Sequence, residues 1–89
     1  CLICGFPAVA CCTACRERIA GERPHRVRRP GVRLPAWAAN PYRPELVRLI
    51  PAFKDDGAWV LSRLLSRRLA VAVAACHPPK GTILVPVPS

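Results

Sequence analysis

The clearest pattern of apolar and polar positions in this 89-residue chain lies between residues 61 and 76. Apolar side chains recur there at steps of three and four residues, which places them along one face of an α-helix. Serine and arginine occupy the opposite face, and the sequence His77-Pro78-Pro79 ends the pattern. The residues predicted to form the buried face of this helix are Leu61, Leu64, Leu65, Leu69, Ala72, Val73 and Cys76.

A shorter helix is predicted to begin at Pro44, because proline lacks only an N–H that the first turn does not use. Pro51 interrupts the same stretch and is expected to bend or end the helix near Ile50. Asp55 and Asp56 come before the long helix, where either carboxylate could cap it. The apolar stripe of the shorter helix is Leu46, Leu49, Ile50 and Phe53.

Two further stretches have the composition of strands. Residues 82–87 form a run rich in β-branched apolar side chains, which is typical of a strand buried in a parallel sheet. Residues 32–39 alternate between two faces, but Pro35 restricts such a stretch to a sheet edge or to irregular chain. Because a helix directly before a buried strand is typical of α/β domains, the pattern predicts an α/β fold.

Two Cys-x-x-Cys pairs near the start of the sequence carry its most specific chemistry. Four thiolates spaced in this way can converge on one tetrahedral zinc ion, because a two-residue gap lets a tight turn direct both sulfurs at the same metal. Gly5 suits such a turn, since glycine adopts positive φ without steric cost. The predicted metal ligands are Cys1, Cys4, Cys12 and Cys15. Cys11 lacks the two-residue spacing and is expected to be a buried or bystander thiol, although the sequence leaves open that it replaces Cys12.

A closed set of four protein thiolates leaves no position for a substrate, so the predicted zinc is structural. The alternative is that the six cysteines form three disulfides, as in small secreted proteins. No stretch of the sequence resembles a secretory signal peptide, and paired Cys-x-x-Cys motifs favour a metal in a reducing compartment. We therefore expect a cytoplasmic protein with structural zinc.

These patterns divide the chain into three parts. Residues 1–20 contain the cysteine pairs, and the first fifteen are predicted to be held by the metal rather than by a hydrophobic core. Residues 21–40 are expected to form a basic, proline-punctuated linker with a short edge strand, and residues 41–89 to begin a larger domain. The absence of any methionine and the apolar run near the end lead us to expect a piece of a longer protein.

The formal net charge of +9 comes mainly from twelve arginines, seven of which lie between residues 16 and 33. A basic segment beside a zinc site could bind single-stranded nucleic acid or a protein partner without any catalysis. The alternative is a solvated basic surface, which the scarcity of aromatic side chains for base stacking favours. The longest uninterrupted apolar run, residues 69–76, is too short to span a bilayer, which takes about 20 residues.

Three blocks, in this order, resemble the ComF family of bacterial competence-type proteins. In that family a zinc-binding pair of Cys-x-x-Cys motifs precedes a type I phosphoribosyltransferase domain. The first block is the cysteine segment that opens with Cys-Leu-Ile-Cys-Gly-Phe-Pro, and the second covers residues 42–57. The third, residues 83–88, is similar to the strand that leads into a ligand-contacting loop. This chain departs from the family pattern at Asp55-Asp56 and at Pro51.

The resemblance implies a zinc knuckle followed by the opening helices and first strand of a truncated type I phosphoribosyltransferase-like domain. The parent protein would bind phosphoribosyl pyrophosphate with Mg²⁺, and Val87, Pro88 and Ser89 would open the loop that contacts the pyrophosphate. Its partners would be single-stranded DNA or the competence machinery, together with the remainder of its own chain. The family's acidic pair and Thr/Gly-rich phosphate loop are missing from these 89 residues, so we expect no catalytic residue here and no activity from this piece alone.

Overall fold

The computed structural model describes residues 1–31 and 33–87 and shows a mixed fold of short helices with one small two-stranded sheet. A 3-10 turn, Trp59–Leu61, leads directly into the longest helix. The elements, in chain order, are α1 Thr13–Gly21, β1 His25–Val27, β2 Ala36–Ala38, α2 Pro44–Val47, α3 Leu49–Lys54 and α4 Ser62–Ala75.

The long helix predicted from apolar spacing is confirmed as α4, which ends two residues before His77. Leu61, just before the helix, and Leu64 and Ala72 within it are buried as expected. The predicted burial is wrong at two positions, because Leu69 is 64% exposed and Cys76 is exposed. The buried face of α4 includes Arg68 instead.

One hydrophobic core joins the cysteine segment to the helices. Its buried members are Cys11, Cys15, Ile19, Leu49, Ala52, Leu61 and Leu64. Cys1, Ile3 and Cys12 pack against this core while remaining partly exposed. The prediction that a metal rather than a hydrophobic core holds the first fifteen residues is therefore wrong, because two of those residues are core members.

The α2–α3 region follows the prediction at its start and differs further on. Pro44 begins α2, as predicted. Helix α2 is separated from α3 at Arg48 rather than near Ile50. Pro51 lies in the first turn of α3, where its missing N–H removes no intrahelical hydrogen bond.

The aspartate cap expected before the long helix is wrong. No side-chain hydrogen bond caps the 3-10 turn or α4, and the two capping positions are held by Ala58 and Leu61.

The sheet consists of β1 and β2 paired antiparallel, with His25 opposite Ala38, Arg26 opposite Trp37 and Val27 opposite Ala36. Strand β2 lies within the stretch predicted as an edge strand, whose first residue, Val32, is outside the described residues. Strand β1 lies in the segment predicted to be a linker.

Residues 82–87 form no strand and pair with no other described segment. Ile83, Val85 and Val87 are each more than 80% exposed. A strand needs a neighbour to accept its backbone hydrogen bonds, and none of the described residues supplies one. The described part of the chain therefore contains no parallel sheet, and a phosphoribosyltransferase-type fold is not among its features.

Candidate metal centre

The first Cys-x-x-Cys pair lies on a turn closed by backbone hydrogen bonds. The Gly5 N–H donates to the Cys1 carbonyl at 2.9 Å, and the Leu2 N–H donates to the Ala10 carbonyl at 2.9 Å. Gly5 has φ +85°, the left-handed conformation expected for it. These contacts fold the first pair back against the segment that leads into the second pair.

The second pair is positioned by the start of α1. Cys12 is the residue before the helix, with extended φ and ψ, and its carbonyl accepts the Arg16 N–H at 2.9 Å. Cys15 follows within the first turn and is buried. Because the N–H groups of a first helical turn have no carbonyl partner inside the helix, they point toward the sulfurs at this end.

The four predicted ligands come together. Each Sγ atom of Cys1, Cys4, Cys12 and Cys15 lies within 4.8 Å of the other three, and the Sγ atoms of Cys4 and Cys12 are 3.6 Å apart. Four sulfurs at the usual zinc–thiolate bond length of about 2.3 Å would be separated by about 3.8 Å, so the spacing matches a tetrahedral site. We refer to these four thiols as the cysteine cluster. It could hold a metal ion, and its all-sulfur donor set is consistent with zinc.

The pKa values of two cluster thiols are shifted in opposite directions. The backbone N–H of Cys15 hydrogen-bonds to the Cys12 sulfur and lowers the pKa of Cys12. Burial raises the pKa of Cys15 to about 11, and its hydrogen bonds with Cys12 and Cys4 add to the increase. The thiols therefore resist ionising together, and a divalent cation among them would offset that cost.

Cys11 and Cys76 lie outside the cluster. Cys11 is a buried core member, its Sγ contacts the Cys12 carbonyl oxygen at 3.8 Å, and burial raises its pKa. Cys76 lies just after α4, and its thiol donates to the Ala72 carbonyl at 3.2 Å. All six cysteines are free thiols in this structure. The arrangement places Cys12 rather than Cys11 with the other three predicted ligands.

Only one of the three residues predicted to contact pyrophosphate, Val87, is among the described residues. Val87 is 91% exposed and belongs to no helix or strand. Pro88 and Ser89 lie outside the described residues.

Sequence reasoning missed Arg68 of α4, whose side chain makes four hydrogen bonds to other described residues. Its Nε donates to Asn40 Oδ1 at 2.9 Å, and its Nη1 donates to the Ala20 carbonyl at 3.1 Å. Its Nη2 donates to the carbonyls of Glu22 at 2.6 Å and Ala39 at 2.9 Å. The available signal was its helical phase: position 68 lies four residues after Leu64 and four before Ala72, on the buried side of α4.

Asn40 and Glu22 extend this network. The Asn40 side-chain amide donates to the Ile19 carbonyl at 3.0 Å and to Glu22 Oε2 at 2.7 Å. Arg43 Nη1 lies 2.8 Å from Glu22 Oε1, which makes an ion pair. The network satisfies carbonyls at the C-terminal end of α1, where a cation also complements the helix dipole. It thereby ties the helix that carries Cys15 to α4 and to the end of β2.

Comparison with known proteins finds no family model, no curated protein and no solved structure that matches this chain. None of the helices in the described part of the chain combines the length and the apolar character needed to cross a bilayer.

Proposed function

We propose that the cysteine cluster binds one structural zinc ion and that this ion fixes α1 against the core. The observation that carries the proposal is the convergence of four sulfurs from two Cys-x-x-Cys pairs within 4.8 Å. Four thiolates complete a tetrahedral zinc site and leave no open position, so the metal would stabilise the fold rather than activate a water molecule. The core membership of Cys15 transmits that stabilisation to Leu61 and Leu64.

Metal analysis of the purified chain, with cobalt substitution as a spectroscopic probe, tests this proposal. We expect one zinc per chain and, after exchange, the absorption of tetrahedral cobalt bound to thiolates. Cys12→Ser should lose most of the metal, whereas Cys76→Ser, a matched change at an exposed thiol outside the cluster, should keep it. Zinc-free protein with a full complement of native structure would contradict the proposal, as would equal metal loss in both variants.

We further propose that the chain is the N-terminal part of a ComF-like phosphoribosyltransferase-family protein. The support is the sequence resemblance of three ordered blocks, the first of which contains the four clustered cysteines. On this proposal, binding of phosphoribosyl pyrophosphate and Mg²⁺ belongs to the parent protein, because the 89 residues lack the family's acidic pair and phosphate loop. A role in competence and a cytoplasmic location are part of the same proposal.

The encoding gene beyond the codon for Ser89 tests the family proposal directly. A strand followed by two acidic residues and a Thr/Gly-rich loop would support it, and an unrelated continuation would contradict it. Pyrophosphate release from phosphoribosyl pyrophosphate should be absent from the 89-residue chain. Measurable release would contradict the expectation that these 89 residues contain no catalytic residue.

A second candidate function is binding of single-stranded nucleic acid at the arginine hairpin, which comprises β1, β2 and the described residues between them. Four of its arginines surround a shallow pocket of about 340 Å³ that Leu34 and Pro35 also line; they are Arg26, Arg28, Arg29 and Arg33. Trp37 lies directly opposite Arg26 in the sheet register and is 38% exposed. An exposed indole beside several guanidinium groups offers both base stacking and phosphate contacts. The sequence had argued against nucleic acid because aromatic residues are few, and this placement weakens that objection.

Fluorescence anisotropy with a labelled 20-nucleotide thymidine oligomer tests this candidate. Affinity should fall steeply with salt, with a logarithmic slope of about −3 if four phosphates are contacted. The double variant Arg28→Glu/Arg29→Glu should weaken binding by at least tenfold, and Trp37→Ala should weaken it at constant charge. Salt-insensitive binding, or no binding, would eliminate the candidate.

A further inference from the structure

A second charged surface lies between α1 and α4, lined by side chains outside the cysteine cluster and the arginine hairpin. Here a groove of about 620 Å³ is open to solvent. Arg16 of α1 and Arg63 and Arg67 of α4 line it, with Glu17 as its one acidic side chain. We call it the α1–α4 groove.

The groove has an aliphatic interior. Leu64 and Ala20 line it, together with Val60 at one end and Val71 along α4. Val60 is 67% exposed and Val71 is 38% exposed, so apolar side chains remain uncovered between cationic ones. An apolar centre with a charged rim is the usual anatomy of a protein–protein contact.

The groove continues past Val60 toward the cysteine segment. A neighbouring pocket of about 270 Å³ shares Arg16 and Val60 with it and is also lined by Val9 and Cys11. Val9 is 46% exposed. The uncovered apolar surface therefore runs from beside the cysteine cluster along the face of α4.

The charges on this surface indicate which class of partner would bind there. Arg63 and Arg67 are one helical turn apart on α4 and form no ion pair within the described residues. A second copy of the chain, itself at +9, would meet electrostatic repulsion here. The aliphatic lining contains no aromatic ring for base stacking, which favours a peptide over a nucleic acid.

We propose that the α1–α4 groove is a docking site for an acidic amphipathic helix of a partner protein. The partner's apolar side chains cover Val60 and Val71, and its carboxylates, spaced one turn apart, face Arg63 and Arg67. This is the helix-in-groove mode of recognition, in which apolar anchors supply affinity and charges set orientation. The proposal is independent of the zinc and nucleic-acid proposals, since it uses neither the cluster ligands nor the hairpin arginines.

The test uses the full 89-residue, metal-loaded chain and a labelled 14-residue synthetic helix of leucine and glutamate. A matched helix of leucine and lysine is the control probe. We expect saturable binding of the acidic helix alone. The double variant Arg63→Glu/Arg67→Glu should weaken binding by at least tenfold, whereas Arg28→Glu/Arg29→Glu, with the same change of net charge at the hairpin, should change it by less than twofold.

A second pair of variants tests the apolar part of the site without altering charge. Val60→Ser should weaken binding of the acidic helix severalfold, whereas Val85→Ser, at another exposed valine, should leave it unchanged. Helicity and metal content, measured on every variant, separate loss of the groove from loss of the fold. If Arg63→Glu/Arg67→Glu unfolds, Arg63→Gln/Arg67→Gln replaces it. We expect this milder variant to lose less affinity for the acidic helix, in the same direction.

Three results would overturn the proposal. The first is an equal loss of affinity in both charge-reversal variants, which would indicate only general attraction to a basic protein. The second is an unchanged affinity in Val60→Ser. The third is displacement of the helix by the thymidine oligomer together with loss of oligomer binding in Arg63→Glu/Arg67→Glu, which would make the groove a nucleic-acid site.

Discussion

The cysteine cluster and residues 82–87 both carry strong sequence patterns, but only the cluster finds its partners within the described chain. The cluster's four sulfurs converge, and Cys15 and the neighbouring Cys11 enter the common core. Residues 82–87 remain exposed along their length, with no strand beside them. A zinc motif needs only ligands a few residues apart, whereas a buried strand needs a sheet. A sequence pattern is therefore sufficient to predict a structure when the groups that must meet lie close together in the sequence.

Removing the metal from the cysteine cluster should have the largest effect on the fold. Because Cys11, Cys15 and Ile19 share a core with Leu61 and Leu64, we expect a chelator to abolish the cooperative thermal transition and to reduce the helical signal of α4 as well as that of α1. Circular dichroism before and after chelation measures this. An unchanged α4 signal in the metal-free chain would contradict this expectation.

The next largest effect should come from Arg68→Ala. This change removes the donor of four partly buried hydrogen bonds, three to backbone carbonyls and one to the Asn40 side chain. We expect the free energy of unfolding to fall by about 3–5 kcal/mol, because several acceptors lose a charged donor and each such hydrogen bond contributes about 1.5–3 kcal/mol. Urea unfolding of the metal-loaded protein measures it. Arg67→Ala, at the exposed adjacent position, is the control and should cost less than about 0.5 kcal/mol.

A pair of leucines tests which predicted core positions are buried. Leu61 is 2% exposed and Leu69 is 64% exposed, and the sequence had placed both on the buried face of the long helix. Leu61→Ala should cost about 2–5 kcal/mol through lost burial and a cavity, whereas Leu69→Ala should be nearly neutral. Equal losses in urea unfolding would show that Leu69 is covered in solution.

Substitutions in residues 82–87 should have the smallest effect on the free energy of unfolding. Ile83 and Val85 make no buried contact in this chain, being 82% and 81% exposed. Ile83→Ser and Val85→Ser should therefore change the free energy of unfolding by less than about 0.5 kcal/mol. A loss of 2 kcal/mol or more, which is of the order expected for a buried aliphatic side chain, would mean that the segment packs against the domain.

The successes of sequence reasoning depended on short-range regularities. The Cys-x-x-Cys spacing identified the four clustered thiols and set Cys11 aside, and the three- and four-residue spacing located α4. Pro44 marked a helix start because proline has a specific cost elsewhere in a helix. Each of these predictions needed information from only one turn or one helix.

The failures concerned contacts between distant parts of the chain. Arg68 is buried because carbonyls from residues 20, 22 and 39 meet it, and nothing in its own neighbourhood predicts those partners. Leu69 and Cys76 have the correct helical phase, but no element of the described chain covers them. The strand predicted at residues 82–87 failed for the same reason, since its formation depends on a neighbouring strand.

X-ray absorption spectroscopy of the zinc-loaded chain would show whether the four cysteines form a closed zinc site, because it counts and identifies the atoms bound to the metal. We expect four sulfur ligands at about 2.3 Å and none of nitrogen or oxygen, with the same spectrum from Cys76→Ser. Fewer than four sulfurs, or a nitrogen or oxygen ligand beside them, would contradict a closed structural site formed by Cys1, Cys4, Cys12 and Cys15.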